Sequence, residues 1–328
     1  MDELLKKVVA NLTETHDKNT SVWSLARRDE FSATFSITEA SIFYPKWVTP
    51  TPGILFIDGG NNKILDMQLQ QVYLVHVAAI QAIPEKPFKS SRRTVIVLIR
   101  KKTNDKEEAV IYSQDGKERI VAFQKEEGKE AIDRVRRLLE IEYAMEQAID
   151  FERNSLIILD GSLECKTNEE KRAMDKLTES LIGNNQLLAG IAKTTTFICD
   201  DSRGIYEVLP KVDKISSIHV ANLLQPKAKV FMTKLHEASP YWFRCDIQDI
   251  FGVDANRVLG QLATLSNDAA FVGYPYPLIK ADMLARVTHE ESGAMKTRLM
   301  VFAKDKFPDM EDLCRQVDVH SVLDKMRF

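Results

Sequence analysis

The stretch GILFIDGG at residues 53–60 decides how the rest of the sequence is interpreted. Its four consecutive apolar residues are too few for a helix and predict a strand that is buried on both faces. The strand is predicted to end on Asp58, whose charge at the tip of a core strand needs a metal ion, a cation or a helix N-terminus. Gly59 and Gly60 follow at once and allow a sharp turn or the close approach of a ligand.

A second stretch, LIILDGS at residues 156–162, repeats this arrangement further along the chain. Here Asp160 and Gly161 follow another short apolar run. Two buried strands that each end in Asp-Gly would place two carboxylates at one edge of a sheet, as a shared metal site requires. The alternative is that each Asp-Gly pair forms a common turn, or that each aspartate caps the next helix.

The composition is that of an ordinary globular protein of 328 residues, 44% hydrophobic and 28% charged. The formal net charge of −3 gives no global field that attracts nucleic acid, so any such binding must come from local basic patches. Four scattered cysteines without a C-x-x-C pair indicate reduced thiols, not a zinc site. Since the sequence shows no secretory signal and no apolar run of membrane length, we expect a cytoplasmic protein without membrane contact.

Hydrophobic periodicity predicts an α/β fold. A run of antiparallel strands is predicted after Asp58, at residues 69–83, 94–99 and 109–112. The remaining predicted elements are helices at 131–149, 168–183, 211–224 and 254–265, and strands at 187–192, 230–235 and 242–247. We predict three segments: an N-terminal helical arm over residues 1–50, a main domain over 51–290, and a C-terminal tail over 291–328 that packs on the domain.

The predicted helix at 131–149 supplies a third candidate ligand. Its apolar residues form one stripe, and Glu142 lies near the middle of that stripe, whereas Glu140 is predicted to face solvent. A glutamate on an inward face is costly unless something pairs with it, which makes Glu142 a candidate metal ligand. The alternative is a buried salt bridge with an arginine.

Three further candidates lie in the second half of the chain. In GYPYPLIKAD at 273–282, two prolines fix an extended entry to a helix that carries Asp282. Tyr274 could stack on a base or contact a phosphate, although a packing role is the simpler explanation. Lys193, just beyond a strand, could neutralise a scissile phosphate or could be an ordinary solvated lysine.

Asp58, Glu142, Asp160 and Asp282 together form a set of carboxylates that suits Mg²⁺ or Mn²⁺. Two such ions, about 3.5–4 Å apart, can activate water and stabilise the leaving oxygen in phosphodiester hydrolysis. The sequence contains no phosphate-binding G-x-x-x-x-G-K-[ST] loop, no G-x-S-x-G and no H-E-x-x-H motif. Any ATP-driven step would therefore belong to another chain. Basic clusters at 92–93, 101–102 and 134–137 support contact with DNA only weakly.

Taken in order, these stretches resemble the NurA nucleases. The matching pieces are Asp58-Gly59-Gly60 after its strand, RRLLEIEY at 136–143, ILDGSL at 158–163, AGIAKT at 189–194 and YPYPLIKAD at 274–282. The resemblance implies a ribonuclease H-like mixed sheet flanked by helices, and Mn²⁺- or Mg²⁺-dependent DNA nuclease activity with two ions. It also implies a homodimer that works with HerA, a hexameric ATPase, in DNA end resection and repair.

The resemblance also implies roles for individual residues. Asp58, Glu142 and Asp160 would be metal ligands, with Tyr274 near the active site. The helix offers Glu140 as well as Glu142, and the inward-face position selects Glu142. Competing hypotheses are a non-catalytic adaptor of a DNA motor, a ribonuclease H-like phosphodiesterase that works without a motor, and an actin-like ATP-binding module.

Overall fold

The fold was analysed in a computed structural model. It describes residues 2–14, 22–24, 31–32, 34–36, 42–45, 50–67, 69–102, 106–124, 131–199, 204–250 and 252–316. The chain divides into two compact units. The first unit consists of Met1–Pro50, Gly161–Glu164 and Ala189–Tyr276. The second unit consists of Thr51–Asp160, Cys165–Leu188 and Pro277–Phe328. The predicted segment boundaries at residues 50 and 290 stay predictions.

The described part of the chain contains both strands and helices. The strands are β1 Val22–Ser24, β2 Phe31–Ser32, β3 Thr34–Ser36, β4 Ile42–Phe43, β5 Ile54–Asp66, β6 Gln70–Ala82, β7 Lys89–Lys101, β8 Lys106–Ser113, β9 Glu118–Gln124, β10 Leu156–Asp160, β11 Leu187–Ala192, β12 Ser216–Leu223, β13 Ala228–Lys234 and β14 Phe243–Gln248. The helices are α1 Asp2–Glu14, α2 Ala131–Ile149, α3 Asn168–Gly183, α4 Ile205–Val208, α5 Ala255–Thr264, α6 Tyr276–Ala285 and α7 His289–Ala303.

The second unit is built on a mixed sheet. From β5 to β9 the strands pair antiparallel in chain order, which confirms the predicted run of antiparallel strands. On the other side of β5 lies β10, which is parallel to it with Leu159 opposite Ile57. The start of β11 continues beyond β10, where the Leu187 amide donates to the Ser155 carbonyl at 3.0 Å. Antiparallel hairpins followed by a helix and a parallel strand make this an α/β sheet of mixed direction.

The sequence predicted a strand that ends at Asp58, whereas β5 continues beyond this residue. The whole strand is 13 residues long, and Asp58, Gly59 and Gly60 pair with Ala78, Val77 and His76 of β6. The two glycines are therefore part of the strand and do not form a turn. The reason that these positions lack side chains must lie in what packs against the strand.

Helices cover the sheet of the second unit. The α2 helix contacts β5, β6 and β10 and also α3, and its buried residues cover a much wider arc than one stripe. The α7 helix packs against β5. Next to it, Ile64 and Leu74 of the sheet form an apolar cluster with Val287 and Met310. The α2 and α3 helices have the bounds that the sequence predicted.

The first unit is built from antiparallel strands. Residues 189–192 of β11 pair with β14, β14 pairs with β13, and β13 pairs with β12, whose other edge takes β2 and β4. The prediction of a helix at 211–224 is wrong, because Ser216–Leu223 is the strand β12. Six of its eight residues are buried, and the ladder on both edges outweighs the local helical pattern.

A buried ionic network stabilises the first unit. Arg244 donates to both carboxylate oxygens of Asp246 at 2.7 Å and lies 3.2 Å from Glu164. Asp246 is fully buried and also accepts a hydrogen bond from the Leu163 amide at 2.9 Å. Burial raises the pKa of Asp246, and the Arg244 guanidinium opposes that rise. The two charges are thus buried as a pair with further hydrogen bonds, as buried charges require.

The first part of the predicted N-terminal helical arm is the helix α1. Much of the chain between α1 and residue 50 lies outside the described residues. Among the helices that the structure describes, none has both the length and the apolar character needed to cross a membrane. All four cysteines are buried, and none of them forms a disulfide.

Candidate metal centre

Three aspartates of the second unit converge. Asp58 lies within β5, Asp160 is the last residue of β10, and Asp282 lies in the middle of α6. Each offers a carboxylate oxygen, and the three oxygens lie within 4.8 Å of one another. Asp58 is only 3% exposed, and the other two are partly buried. The structure therefore brings together three of the four carboxylates that the sequence proposed.

Gly60 explains how α6 comes so close to β5. A Cβ atom at this position would lie 2.3 Å from the carbonyl oxygen of Ala285, the last residue of α6. Just beyond the same end of α6, the Asn62 side-chain amide donates to the Val287 carbonyl at 3.4 Å. The missing side chain at Gly60 thus lets the helix that carries Asp282 pack directly on the strand that carries Asp58.

Gly59 makes room for a glutamate. A Cβ atom at Gly59 would lie 2.6 Å from Oε1 of Glu140 on α2. Arg136 donates to the Gly59 carbonyl at 3.0 Å and to Glu140 at 2.8 Å. Arg137 donates to the Asp160 carbonyl at 3.0 Å and to Glu140 at 3.2 Å. The Gly59 amide in turn donates to the Asp58 carboxylate at 2.7 Å.

The charges in this cluster influence one another. Burial raises the pKa of Glu140, while Arg136 and Arg137 oppose the rise and Asp160 adds to it. The pKa of Arg136 is raised, chiefly by its attraction to Glu140, and Asp58 and Asp160 contribute in the same direction. The arginine side chains therefore lie within the electrostatic field of the aspartates, although the sequence analysis treated them as a surface basic cluster.

The expected orientations of Glu140 and Glu142 are wrong. Glu140 is only 2% exposed, whereas Glu142 is partly exposed and pairs with Arg119 of β9 at 2.5 and 2.9 Å. Glu142 lines a cavity of about 580 Å³ together with residues of β9 and α3. It is not part of the group of acids that lie within 4.8 Å of one another. A single apolar stripe could not reveal this, because α2 is buried on several sides.

The sequence did contain a signal for Glu140. Arg136 and Arg137 precede it by four and three residues, the spacings at which side chains on a helix meet. A carboxylate with two arginines at these positions can be buried because its charge is paired. This pairing, and not the apolar stripe, distinguishes it from Glu142.

Lys193 and Tyr274 both belong to the first unit. There the Lys193 ammonium lies 5.6 Å from the centre of the Tyr274 ring. The ring is 3% exposed and packs against Phe243 and Phe271 at centroid distances of 5.0 and 6.3 Å. The two residues that the sequence singled out independently are thus in contact, and the aromatic packing is the role that the sequence analysis gave as the simpler one.

The three aspartates fit a divalent metal ion. Carboxylate oxygens are the ligands that Mg²⁺ and Mn²⁺ prefer. Three carboxylates at this spacing repel one another, and a cation that lies among them relieves the repulsion. The low exposure of Asp58 makes the repulsion stronger, because charges interact more strongly away from water.

Comparison with known proteins identifies the domain. The family model of the NurA domain matches residues 52–196. This range contains Asp58, Glu140 and Asp160, together with the core of the mixed sheet. Residues 52–196 of the chain are therefore similar to the NurA domain. The resemblance inferred from the sequence is thereby confirmed.

A solved structure extends the comparison beyond the NurA domain. The crystal structure of the NurA nuclease from Sulfolobus solfataricus is similar to 93% of this chain and 96% of its own, with a TM-score of 0.52 and 17% sequence identity. The likeness supports the fold, and the predicted ribonuclease H-like α/β class is confirmed. Two A. aeolicus Argonaute structures, one with externally bound siRNA, each match 72% of this chain and 28% of their own at 13% identity, with TM-scores of 0.36 and 0.32. No curated protein matches the sequence.

Proposed function

We propose that this chain is a metal-dependent nuclease that hydrolyses phosphodiester bonds in DNA. The observation that carries the proposal is the convergence of Asp58, Asp160 and Asp282, with one oxygen of each within 4.8 Å of the others, in a chain whose residues 52–196 are similar to the NurA domain. The similarity to a protein described as a NurA nuclease supports the same class of reaction.

The three aspartates would hold the metal, which we propose to be Mn²⁺ or Mg²⁺, as two ions. Bound there, the metal would supply a nucleophile from water and stabilise charge on the leaving oxygen. Asp58 is oriented for this role by the Gly59 amide, which donates to its carboxylate. Asp282 is oriented by the packing of α6 against Gly60. The chain's own contribution is thus to fix the ligands before substrate arrives.

We propose Glu140, in place of Glu142, as the carboxylate of α2 that serves this centre. Glu140 is buried beside Gly59 and senses the charge of Asp160, whereas Glu142 pairs with Arg119. Exchanging each for glutamine separates the two hypotheses, because the two changes are chemically the same. We expect Glu140→Gln to abolish cleavage and Glu142→Gln to leave it nearly unchanged, since exposed ion pairs contribute little.

The remaining roles rest on the similarity to NurA and on single contacts or exposed surfaces of the chain. We propose Lys193 and Tyr274 as residues that contact the substrate, supported by their mutual contact and by the cationic charge of Lys193. A homodimer is supported by Leu4, Leu5 and Val8 of α1, which expose 53–61% of their surface. A HerA-type hexameric ATPase as partner, a role in DNA end resection and repair, and a cytoplasmic location are proposed from the family.

The test is digestion of end-labelled linear DNA with Mn²⁺, with Mg²⁺ and with EDTA. The native chain is compared with Asp160→Asn and with the matched control Asp175→Asn, which changes an exposed aspartate of α3. We expect metal-dependent cleavage by the native chain and the control, and none by Asp160→Asn. If the folded native chain cuts nothing with either metal, alone or with a HerA-type ATPase, the nuclease proposal fails and a non-catalytic adaptor is the better hypothesis.

A further inference from the structure

The parallel pairing of β5 with β10 stops one residue before both aspartates. Its last paired residues are Ile57 and Leu159, and Asp58 and Asp160 follow directly. Beyond this point β5 and β10 need another connection if the two carboxylates are to keep a fixed separation. A metal ion requires such fixed ligands, because the groups that orient ligands control its affinity.

Two arginines of α2 provide that connection. Arg136 donates to the Gly59 carbonyl and Arg137 to the Asp160 carbonyl, both at 3.0 Å. The same Nη1 atoms donate to the two oxygens of Glu140, at 2.8 Å from Arg136 and 3.2 Å from Arg137. One carboxylate thus joins two guanidinium groups, and each guanidinium holds one of the strands that carry the aspartates. We call this set the arginine clamp.

Burial makes the arginine clamp more than a surface ion pair. The side chains of Glu140 and Arg137 are 3% and 15% exposed, and that of Arg136 is 31% exposed. Charge-assisted hydrogen bonds in such surroundings are stronger and more directional than exposed ones. Replacing Gly59 would also disturb the clamp, since a Cβ atom there would lie within 3.0 Å of both Glu140 and Arg136.

We propose that Arg136 and Arg137 are positioning residues of the candidate metal centre, which set the separation of β5 and β10 where these strands carry Asp58 and Asp160. The inference rests on the proposed metal-dependent function and adds to it the means by which the ligands are held. The arginines do not contact the substrate in this proposal; they act through Glu140 and the two carbonyl oxygens. A purely structural salt bridge of α2 would stabilise the fold without influencing metal affinity.

The test measures Mn²⁺ binding to the full chain without DNA, by the electron paramagnetic resonance signal of free Mn²⁺. Arg137→Gln and Arg136→Gln are compared with Arg172→Gln, which changes an exposed arginine of α3. We expect each clamp variant to bind Mn²⁺ about 10–100-fold more weakly, as for other residues that orient metal ligands. The control should bind as the native chain does. Arg137→Lys, which keeps a charged donor, should recover part of the affinity.

Circular dichroism melts establish that each variant is folded. If Arg137→Gln does not fold, Arg136→Gln still tests the inference, because Arg136 is the more exposed of the two arginines. Folded clamp variants with the native Mn²⁺ affinity would overturn the inference and leave the arginines a structural role. If the native chain itself binds no Mn²⁺, the proposed function fails, and the inference fails with it. The two failures are distinguished by the native measurement alone.

Discussion

The contact between Gly60 and α6 allows a sharp prediction for Gly60→Ala. The added Cβ would lie 2.3 Å from the Ala285 carbonyl oxygen and 3.0 Å from its carbon. Cβ atoms in proteins essentially never come closer than 3.0 Å to another heavy atom, so the carbonyl must retreat by at least 0.7 Å. Because the obstacle is backbone, no side-chain rotation can relieve it. We expect a loss of about 1–3 kcal/mol of folding free energy, as for other overpacked sites.

The same displacement should weaken metal binding. Asp282 lies one turn before Ala285 on α6, so a retreat of the helix end moves this ligand away from Asp58 and Asp160. We expect at least a tenfold loss of Mn²⁺ affinity, by analogy with other changes that displace a ligand. At a fixed Mn²⁺ concentration well above the dissociation constant, this reduces the stabilisation by metal by about 1.4 kcal/mol.

Urea unfolding with Mn²⁺ and with EDTA measures both effects. Gly293→Ala is the matched control, because Gly293 lies in α7 and a Cβ there meets nothing within 4 Å. We expect this control to gain about 0.4–1 kcal/mol, since alanine reduces the freedom of the unfolded chain. If Gly60→Ala is as stable as Gly293→Ala and gains as much from Mn²⁺, then Gly60 does not set the approach of α6 to β5.

Two further predictions concern buried titratable side chains other than the three aspartates of the candidate metal centre. Arg244→Met should reduce the free energy of unfolding by about 3–5 kcal/mol, because it leaves Asp246 buried without its cation. The control Lys229→Ala breaks the exposed pair with Asp249 and should reduce it by less than about 1 kcal/mol. Equal urea midpoints for the two variants would contradict this prediction. Burial and the charge of Arg92 lower the pKa of His76 in the folded chain. As the pH falls below about 6.5, the unfolded chain therefore binds a proton at this residue that the folded chain does not, and the folded state loses stability. The stability advantage of the native chain over His76→Gln should therefore shrink from pH 7.5 to 5.5, and a constant difference across that range would refute the assignment.

The sequence alone was sufficient to predict those elements whose local pattern agrees with their place in the tertiary structure. The apolar runs before Asp58 and Asp160 predicted buried strands, and both are buried and parallel to each other. Helices α2 and α3 have the predicted bounds, since periodicity and end signals such as the Thr167 cap act locally. The choice of Asp58, Asp160 and Asp282 as candidate ligands needed only the spacing of these patterns, and the structure brings all three together.

Tertiary contacts decided the features that local pattern does not contain. The segment Ser216–Leu223 is a strand because β13 pairs with one of its edges and β2 and β4 with the other. Gly59 and Gly60 continue β5, because β6 pairs with them and Glu140 and Ala285 occupy the space where side chains would be. Which glutamate of α2 is buried depended on the arginines beside it and on elements packed around the whole helix.

The sequence by itself thus determined the strands, most of the helices and the acidic residues, because these follow from the period and chemistry of short segments. Only the tertiary structure decided how those acids are held. The separation of Asp58, Asp160 and Asp282 depends on two glycines and two arginines whose partners are distant in the chain. A sequence pattern reports which side chains are available, whereas a binding site depends on distances between atoms that packing alone fixes.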